Sequence, residues 1–341
     1  MCGIVGYVGS KQAVPILIGG LRALEYRGYD SAGIAVGYDG TVDVRKRVGR
    51  IDGLEELVSQ RPLRGTTGIG HTRWATHGRP SDANAHPHAD CTGAFVVVHN
   101  GIIENYAELR DELAARGHRF ASETDTEVVA HLLEELYDGD LVRTVQRAAA
   151  RLEGAYALAV MSRREPGKIV AVKQASPLIV GLGEGENFLA SDIPALLPHT
   201  RRVIPLEEGE MAVLTRDGVQ LMRLDGTPVA RQPMTVTWDP GQAERGGYPH
   251  FMLKEIHEQP RAVRDTLAGR IHRSGEGVVL DAVRFDPEWV RQLRAVYLVA
   301  CGTAYHAGLV GGRLIERLAG IPAWTEIASE FRYREPLVDE R

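Results

Sequence analysis

The sequence predicts an α+β fold, two antiparallel sheets with helices outside them, followed by the opening of an α/β unit. Three observations carry this. Short apolar runs bounded by Gly, Asn and Ser turns recur between Gly3 and Met222 and read as paired strands. Other stretches, such as Ala13, Leu17, Leu21 and Leu24, space apolar residues three and four apart and read as amphipathic helices. Late in the chain Val296 to Ala300 is a buried strand, Cys301-Gly302-Thr303-Ala304 a tight turn and Tyr305 to Leu318 a helix.

At 341 residues the chain is longer than one ordinary domain, so two are expected. Hydrophobic content of 44% beside 25% charged residues is that of a soluble globular protein. A net charge of -5 gives no basic footprint for nucleic acid. No apolar run could span a bilayer, and the start of the sequence has neither a basic signal-peptide segment nor the apolar stretch of a lipoprotein signal. Cys2, Cys91 and Cys301 are odd in number and lack C-x-x-C spacing. Neither a disulfide framework nor a zinc site is therefore expected, and the cytoplasm fits.

The first strand begins at Cys2-Gly3-Ile4-Val5-Gly6. Removal of Met1 would make Cys2 the first residue, and its free α-amine could then act, directly or through a water, as general base for the thiol beside it. The other reading is a small buried hydrophobe near a terminus. A helix follows to about Tyr26-Arg27-Gly28, then Tyr29-Asp30-Ser31-Ala32-Gly33 and a strand from Ile34 to Val36. The polar residues Arg27, Asp30 and Ser31 crowd the entry to an apolar strand, which suits a site as well as a structural turn. Gly37-Tyr38-Asp39-Gly40 reads as a hairpin turn.

A strand from Thr67 to His71 runs into Thr72-Arg73-Trp74-Ala75-Thr76-His77-Gly78 and a long polar loop, which reads as a mobile functional loop. His86 and His88 in that loop read as hydrogen-bonded residues rather than metal ligands, because no carboxylate or cysteine stands nearby at ligand spacing. Phe95 to Val98 is a strand ending in His99-Asn100-Gly101-Ile102-Ile103-Glu104-Asn105. A helical segment comes next, so Asn100-Gly101 reads as a strand-to-helix junction rather than a hairpin turn. Ser122-Glu123-Thr124-Asp125-Thr126-Glu127 opens another helix and suits a capping sequence, though it holds more polar side chains than a cap needs. Short strands continue to Met222, Asp239 to Gly247 is linker-like, and Lys254 to Pro260 begins a helical region.

Taken together, five ordered motifs closely resemble the glutamine–fructose-6-phosphate aminotransferase family, the glucosamine-6-phosphate synthases. They are Cys2 to Gly6, Tyr26 to Gly33, His71 to Gly78, His99 to Asn105 and Ser122 to Glu127, joined by Lys254 to Pro260 and Ala328 to Arg334. The opening Cys-Gly-Ile alone would also suit purine-pathway amidotransferases or asparagine synthetase.

The resemblance implies a four-layer αββα N-terminal-nucleophile hydrolase, followed by the start of a sugar-isomerase (SIS) domain. It divides the chain into a glutaminase domain at 2–218, a connecting segment at 219–287 and an isomerase fragment at 288–341. By the same resemblance Cys2 is the nucleophile, Asn100 and Gly101 form the oxyanion hole, and Arg27 stands beside the nucleophile. Arg73 and Asp125 hold the carboxylate and ammonium of glutamine, with Trp74, Thr76, His77 and Gly78 on a closing loop where Trp74 suits a gate. Thr303 and Ala304 are implied, weakly, at the sugar phosphate, because the family usually has serine where Ala304 stands. The family's isomerising lysine, histidine and glutamate are expected beyond residue 341.

No cofactor and no metal are implied. The implied partners are glutamine and, in the longer enzyme, fructose 6-phosphate and a second copy bound through the isomerase domain. A silent ligand-binding fragment and a stand-alone amidohydrolase are the alternatives.

Overall fold

The structure is a computed structural model, and it describes residues 2–237, 247–268, 270, 285–334 and 336–337. Met1 and residues 239–246 of the linker-like stretch lie outside the described residues. The chain divides into two compact units between Gly247 and Tyr248.

The first unit opens with β1 (Gly3–Val8), α1 (Ala13–Ala23), β2 (Ser31–Tyr38), β3 (Thr41–Val48), α2 (Ile51–Gln60) and β4 (Thr67–Arg73). Next come β5 (His88–Ala89), β6 (Phe95–Ile103), α3 (Tyr106–Ala115), α4 (Glu127–Leu136) and α5 (Leu141–Ala149). The remaining strands are β7 (Gly154–Ser162), β8 (Lys168–Gln174), β9 (Ile179–Leu182), β10 (Asn187–Ala190), β11 (Arg202–Pro205), β12 (Glu210–Thr215), β13 (Val219–Arg223) and β14 (Met234–Thr235).

These strands form two sheets, in the orders β14-β11-β9-β10-β1-β4-β2-β3 and β13-β12-β8-β7-β6-β5. Every described pairing within them is antiparallel. The β2–β3 hairpin turns at Asp39 and Gly40, both with positive φ, as a two-residue turn matched to strand twist requires.

Strand side chains alternate between a core shared by the two sheets and a core beneath each sheet's own helices. Ile4, Val8, Ile69, Val96, Val98, Ala157 and Ala159 pack between the sheets. Val5, Tyr7, Ile34 and Val36 face α1 and α2, while Phe95, Val97, Leu158 and Val160 face α3, α4 and α5. The result is four layers, αββα. Both faces of the central strands are covered, which is why they read as continuous apolar runs instead of alternating ones.

Several boundaries move. β6 continues through Asn100-Gly101 to Ile103, because Asn100 to Ile103 stay paired with Ala157 to Gly154 of β7. The junction expected at Asn100-Gly101 is therefore a strand end still inside the sheet. α4 begins at Glu127 rather than at Ser122, and its N-cap residue, Thr126, makes no side-chain capping bond. Beyond residue 218, β13 pairs with β12 and β14 with β11, so both sheets draw on the segment expected to be a connector.

In the second unit, α6 (Phe251–Leu267) and α7 (Pro287–Gln292) precede β15 (Val296–Ala300), α8 (Gly302–Ala319), β16 (Ala323–Ile327) and α9 (Ala328–Tyr333). β15 and β16 pair in parallel through α8, one βαβ unit. The helix starts at Gly302, so Thr303 and Ala304 lie in its first turn and not in a preceding loop. Among the described residues no helix is long and apolar enough to cross a membrane.

Candidate active site around Cys2

Strand register builds the site. β1 and β4 are antiparallel with Gly3 opposite Thr72, which sets Cys2 beside Arg73 and Trp74. The Cys2 Sγ lies 3.2 Å from the Trp74 backbone N–H that donates to it. From the facing sheet, Asn100 Nδ2 donates to the Cys2 carbonyl oxygen at 3.2 Å. A cavity of about 280 Å³ opens here, lined by Cys2, Arg27, Trp74, Thr76, Asn100 and Gly101. Arg73, His77, Gly78 and Asp125 do not line it.

Burial pushes the Cys2 thiol up from its ordinary value, and Asp30 adds to this, while the Trp74 N–H and Arg73 pull the other way. Arg27 is buried; its Nε donates to the Cys2 carbonyl at 3.0 Å and its Nη1 pairs with Asp192 at 3.1 Å. Arg27 thus holds the backbone of Cys2.

The polar residues before β2 brace the loop after β4. Asp30 Oδ2 accepts the Ala75 N–H, and the Asp30 N–H donates to the Arg73 carbonyl at 3.1 Å. Gly28 lies flat against the same backbone, where a Cβ would come within 2.6 Å of the Arg73 carbonyl carbon. Arg73 is buried, and its Nη2 donates to the carbonyls of His77 and Gly78. His77 and Gly78 accordingly hold the guanidinium by their backbone. Its Nη1 is buried without a hydrogen-bond partner. An orphaned cationic donor of this kind calls for an anion. Trp74, expected as a gate, is 48% exposed, with its ring edge-on to Tyr29 at 5.5 Å.

Asn100 is oriented by buried histidines. Its Oδ1 lies 3.1 Å from His71 Nε2, His71 Nδ1 lies 2.9 Å from His86 Nδ1, and His86 Nε2 lies 2.9 Å from Thr126 Oγ1. Thr126 Oγ1 also meets His99 Nδ1 at 2.9 Å. One set of neutral tautomers satisfies the whole line. Each group donates toward Asn100: His99 to Thr126, Thr126 to His86, His86 to His71, His71 to Asn100 Oδ1. The neutral state is the favoured one, since burial, helped by His99, brings His71 down to about 3, and burial also lowers His86 and His99. His86 and His88 thus take up the hydrogen-bonded role read from the sequence; His88 Nε2 meets Thr124 Oγ1 at 3.1 Å. Gly101, at φ +130, could not carry a side chain, because a Cβ would sit 1.9 Å from the Ala155 carbonyl oxygen.

Asp125 is buried and accepts the Ile103 N–H at 2.9 Å, which ties it to the end of β6. In the same segment the Glu127 carboxylate accepts from the N–H groups of Ala121 and Ser122, both at 2.7 Å, and from the Ser122 hydroxyl at 2.6 Å. Burial works to raise this carboxyl, but its contacts with His131, Ala121 and Ser122 outweigh it and bring it down to about 2. Within Ser122 to Glu127, Ser122 and Glu127 thus bond the loop to its own helix start, while Thr124, Asp125 and Thr126 reach His88, Ile103 and the histidine line.

Ser176 and Pro177, which sequence reasoning did not single out, also line the cavity. The only local signal is Ala175 before them, held at φ +74. Thr303 and Ala304 belong to the second unit, exposed in the first turn of α8.

A family profile described as "Glutamine amidotransferase domain" matches residues 71–198. The chain is 64% identical over 340 residues to glutamine–fructose-6-phosphate aminotransferase [isomerizing] of Symbiobacterium thermophilum, and 55% identical over 341 residues to that of Thermus thermophilus. Each match covers 100% of this chain and 56% of the relative. Among solved structures, the allosteric regulatory enzyme of purine biosynthesis matches with a TM-score of 0.58 at 27% identity, over 65% of this chain and 49% of that one. Glutamine phosphoribosylpyrophosphate amidotransferase from B. subtilis matches with a TM-score of 0.59 over 99% of this chain and 71% of that one, and at 21% identity it speaks for the fold alone. With its αββα layers and Cys2 facing Asn100, the chain carries a glutamine amidotransferase domain, and over its whole length it is similar to glutamine–fructose-6-phosphate aminotransferases, of which it spans about half the length.

Proposed function

We propose that the first unit hydrolyses glutamine at Cys2. The observation that carries this is the convergence of the Cys2 thiol, the Asn100 amide and Gly101 on one cavity, with an unpaired guanidinium arm on Arg73 nearby in sequence. The thiol attacks the side-chain amide carbon of glutamine as its proton passes to the α-amine of Cys2, uncovered by removal of Met1. A C–S bond forms and the carbonyl electrons move onto oxygen. Asn100 Nδ2, which has a second N–H beyond the one given to Cys2, and the Gly101 N–H receive that oxyanion. Collapse breaks the C–N bond, the amine returns its proton, and ammonia leaves. Water then cleaves the thioester to glutamate.

Arg73 Nη1 takes the substrate carboxylate and Asp125 its ammonium. Thr76 flanks the cavity, and the Trp74 ring closes over it once glutamine is bound. By likeness to the relatives, of whose length this chain spans about half, the proposed outcome in a full-length enzyme is amino transfer to fructose 6-phosphate, giving glucosamine 6-phosphate. Thr303 and the first turn of α8 then lie toward the sugar phosphate, and the isomerase part joins two copies in the cytoplasm.

The test is glutamate release from glutamine by the purified chain and by Cys2→Ala. Release that stops in Cys2→Ala supports the reading; release that persists removes Cys2 from the chemistry.

A further inference from the structure

Three separate segments of the first unit bring a cysteine, two histidines and a glutamate to one point. Cys91 follows β5, His118 lies between α3 and α4, and His131 and Glu134 stand on α4 three residues apart. One ligand atom from each lies within 4.8 Å of all the others. None of the four lines the Cys2 cavity. We propose that Cys91, His118, His131 and Glu134 form a structural zinc site.

Three of the six spacings lie near the edges of a zinc tetrahedron, and the other three are within 4.8 Å. Zinc bonds of about 2.0–2.3 Å to nitrogen, oxygen and thiolate require ligand-to-ligand edges of about 3.4–3.6 Å. Cys91 Sγ lies 3.6 Å from His131 Nδ1, His118 Nδ1 lies 3.2 Å from Glu134 Oε2, and His131 Nδ1 lies 3.9 Å from the same oxygen. Glu134 Oε2 is buried and makes no hydrogen bond. Its close neighbour is His118 Nδ1, and a cation held between the two would satisfy both.

The outer contacts suit a metal too. His131 Nε2 lies 3.6 Å from Glu127 Oε1, and His118 Nε2 lies 3.4 Å from Glu135 Oε2. His118 therefore turns one nitrogen inward and the other toward a carboxylate, the arrangement that fixes metal-binding histidines, whereas His131 Nε2 faces Glu127 beyond hydrogen-bond range. The Cys91 sulfur accepts the Arg119 N–H at 3.2 Å, which suits a thiolate. Thiolate, imidazole and carboxylate in four-fold array select zinc over magnesium or calcium, and four protein ligands leave no open position for catalysis. The set has no C-x-x-C pair to mark it in the sequence, and the proposal departs from the expectation of no metal. The ligands converge only once α4 packs beside β6.

Such an ion would clip the turn after β5 and the loop after α3 to α4, whose first turn follows Asp125 and Thr126. The test starts from chain stripped by a chelator and titrated with cobalt(II). A single equivalent should bind with tetrahedral visible bands and a thiolate-to-cobalt charge-transfer band that zinc abolishes, and zinc should raise Tm. Cys91→Ser should lose the charge-transfer band and the zinc-dependent Tm rise; Cys301→Ser and Cys2→Ala should keep both. Glu135→Gln, which leaves the four ligands in place, should weaken zinc binding about 10–100-fold, and it carries the test if Cys91→Ser does not fold. Absence of the charge-transfer band in the unaltered chain, or its persistence in folded Cys91→Ser, overturns the site. Unchanged zinc affinity in Glu135→Gln likewise counts against it.

Discussion

His71 Nε2 meets Asn100 Oδ1 at 3.1 Å, and this contact decides which way the Asn100 amide faces. With Oδ1 turned to a histidine N–H, Nδ2 must face Cys2. His71→Leu removes that instruction and frees the amide to flip, which would point an acceptor at the developing oxyanion. The expected result is a fall in kcat toward the 10²–10³-fold loss of an oxyanion-hole donor, about that order, with little change in KM. Unaltered kcat in a folded His71→Leu variant would remove the histidine line from the mechanism.

The same buried histidines set an acid limit on stability. His71 is lowered from 6.5 to about 3, and His86, His88 and His99 are lowered too, burial being the first cause in each. The unfolded chain then binds more protons than the folded one below pH 6.5. Stability should fall as pH drops through 6.5, by about 1.4 kcal/mol per pH unit for each histidine that stays neutral. Glu127 acts in a lower window: its carboxyl is brought from 4.5 to about 2, so its contribution is present above 4.5 and lost as pH falls toward 2. Denaturant unfolding at pH 7.5, 6.0 and 5.0 measures the first window. A midpoint that does not move across that range contradicts the neutral assignment.

Much of the fold was legible because burial on both faces leaves a direct mark on composition. β1, β6 and β7 are apolar at consecutive positions, and the Asp39-Gly40 hairpin announces itself by residue type. At the candidate site the motif Arg73 to Gly78 keeps its members adjacent in sequence, and of these Trp74 and Thr76 line the Cys2 cavity. Two things escaped. The end of β6 depends on its partner: Asn100 to Ile103 stay in the sheet because β7 runs opposite them, which no local signal records. Contacts across long separations escaped as well, including Thr126 with His86, Ser176 with the Cys2 cavity, and Cys91 with His131. Each part of these pairs is unremarkable alone.

Gly101 tests the strand end. At φ +130, with a Cβ placed 1.9 Å from the Ala155 carbonyl oxygen, Gly101→Ala must displace either β6 or β7. The expected cost is about 1–3 kcal/mol of stability from the backbone conformation alone, together with loss of glutamate release. Wild-type Tm and activity in Gly101→Ala would mean that the strand end is not held in this conformation.

Arg73→Lys separates charge from shape. The guanidinium reaches the His77 and Gly78 carbonyls with one arm and leaves Nη1 unpaired, a division that a lysine ammonium cannot reproduce. KM for glutamine should rise at least about tenfold, as loss of one charge-assisted bond worth about 1.5–3 kcal/mol requires. Asp125→Asn should raise KM similarly while Cys2 still reacts with a small alkylating reagent. Unchanged KM in both variants would take the two residues out of substrate recognition.

The last prediction concerns the base. The buried histidines point their donors toward Asn100, and none of them is within hydrogen-bonding distance of the Cys2 sulfur among the described contacts; what holds Cys2 there is the Trp74 N–H at the sulfur and Arg27 and Asn100 at the carbonyl. Burial meanwhile keeps the thiol above its ordinary value, so some group must take its proton. The amine of Cys2 itself meets that need at no cost in additional residues. A variant in which a non-cleavable residue precedes Cys2 should therefore fold normally, since the carbonyl contacts of Cys2 are untouched, yet release glutamate no faster than Cys2→Ala. N-terminal mass spectrometry of the active and inactive preparations links the uncovered amine to turnover directly. Full activity in a preparation whose Cys2 remains acylated by a preceding residue would require another base, and a water held near Asn100 would be the next place to look.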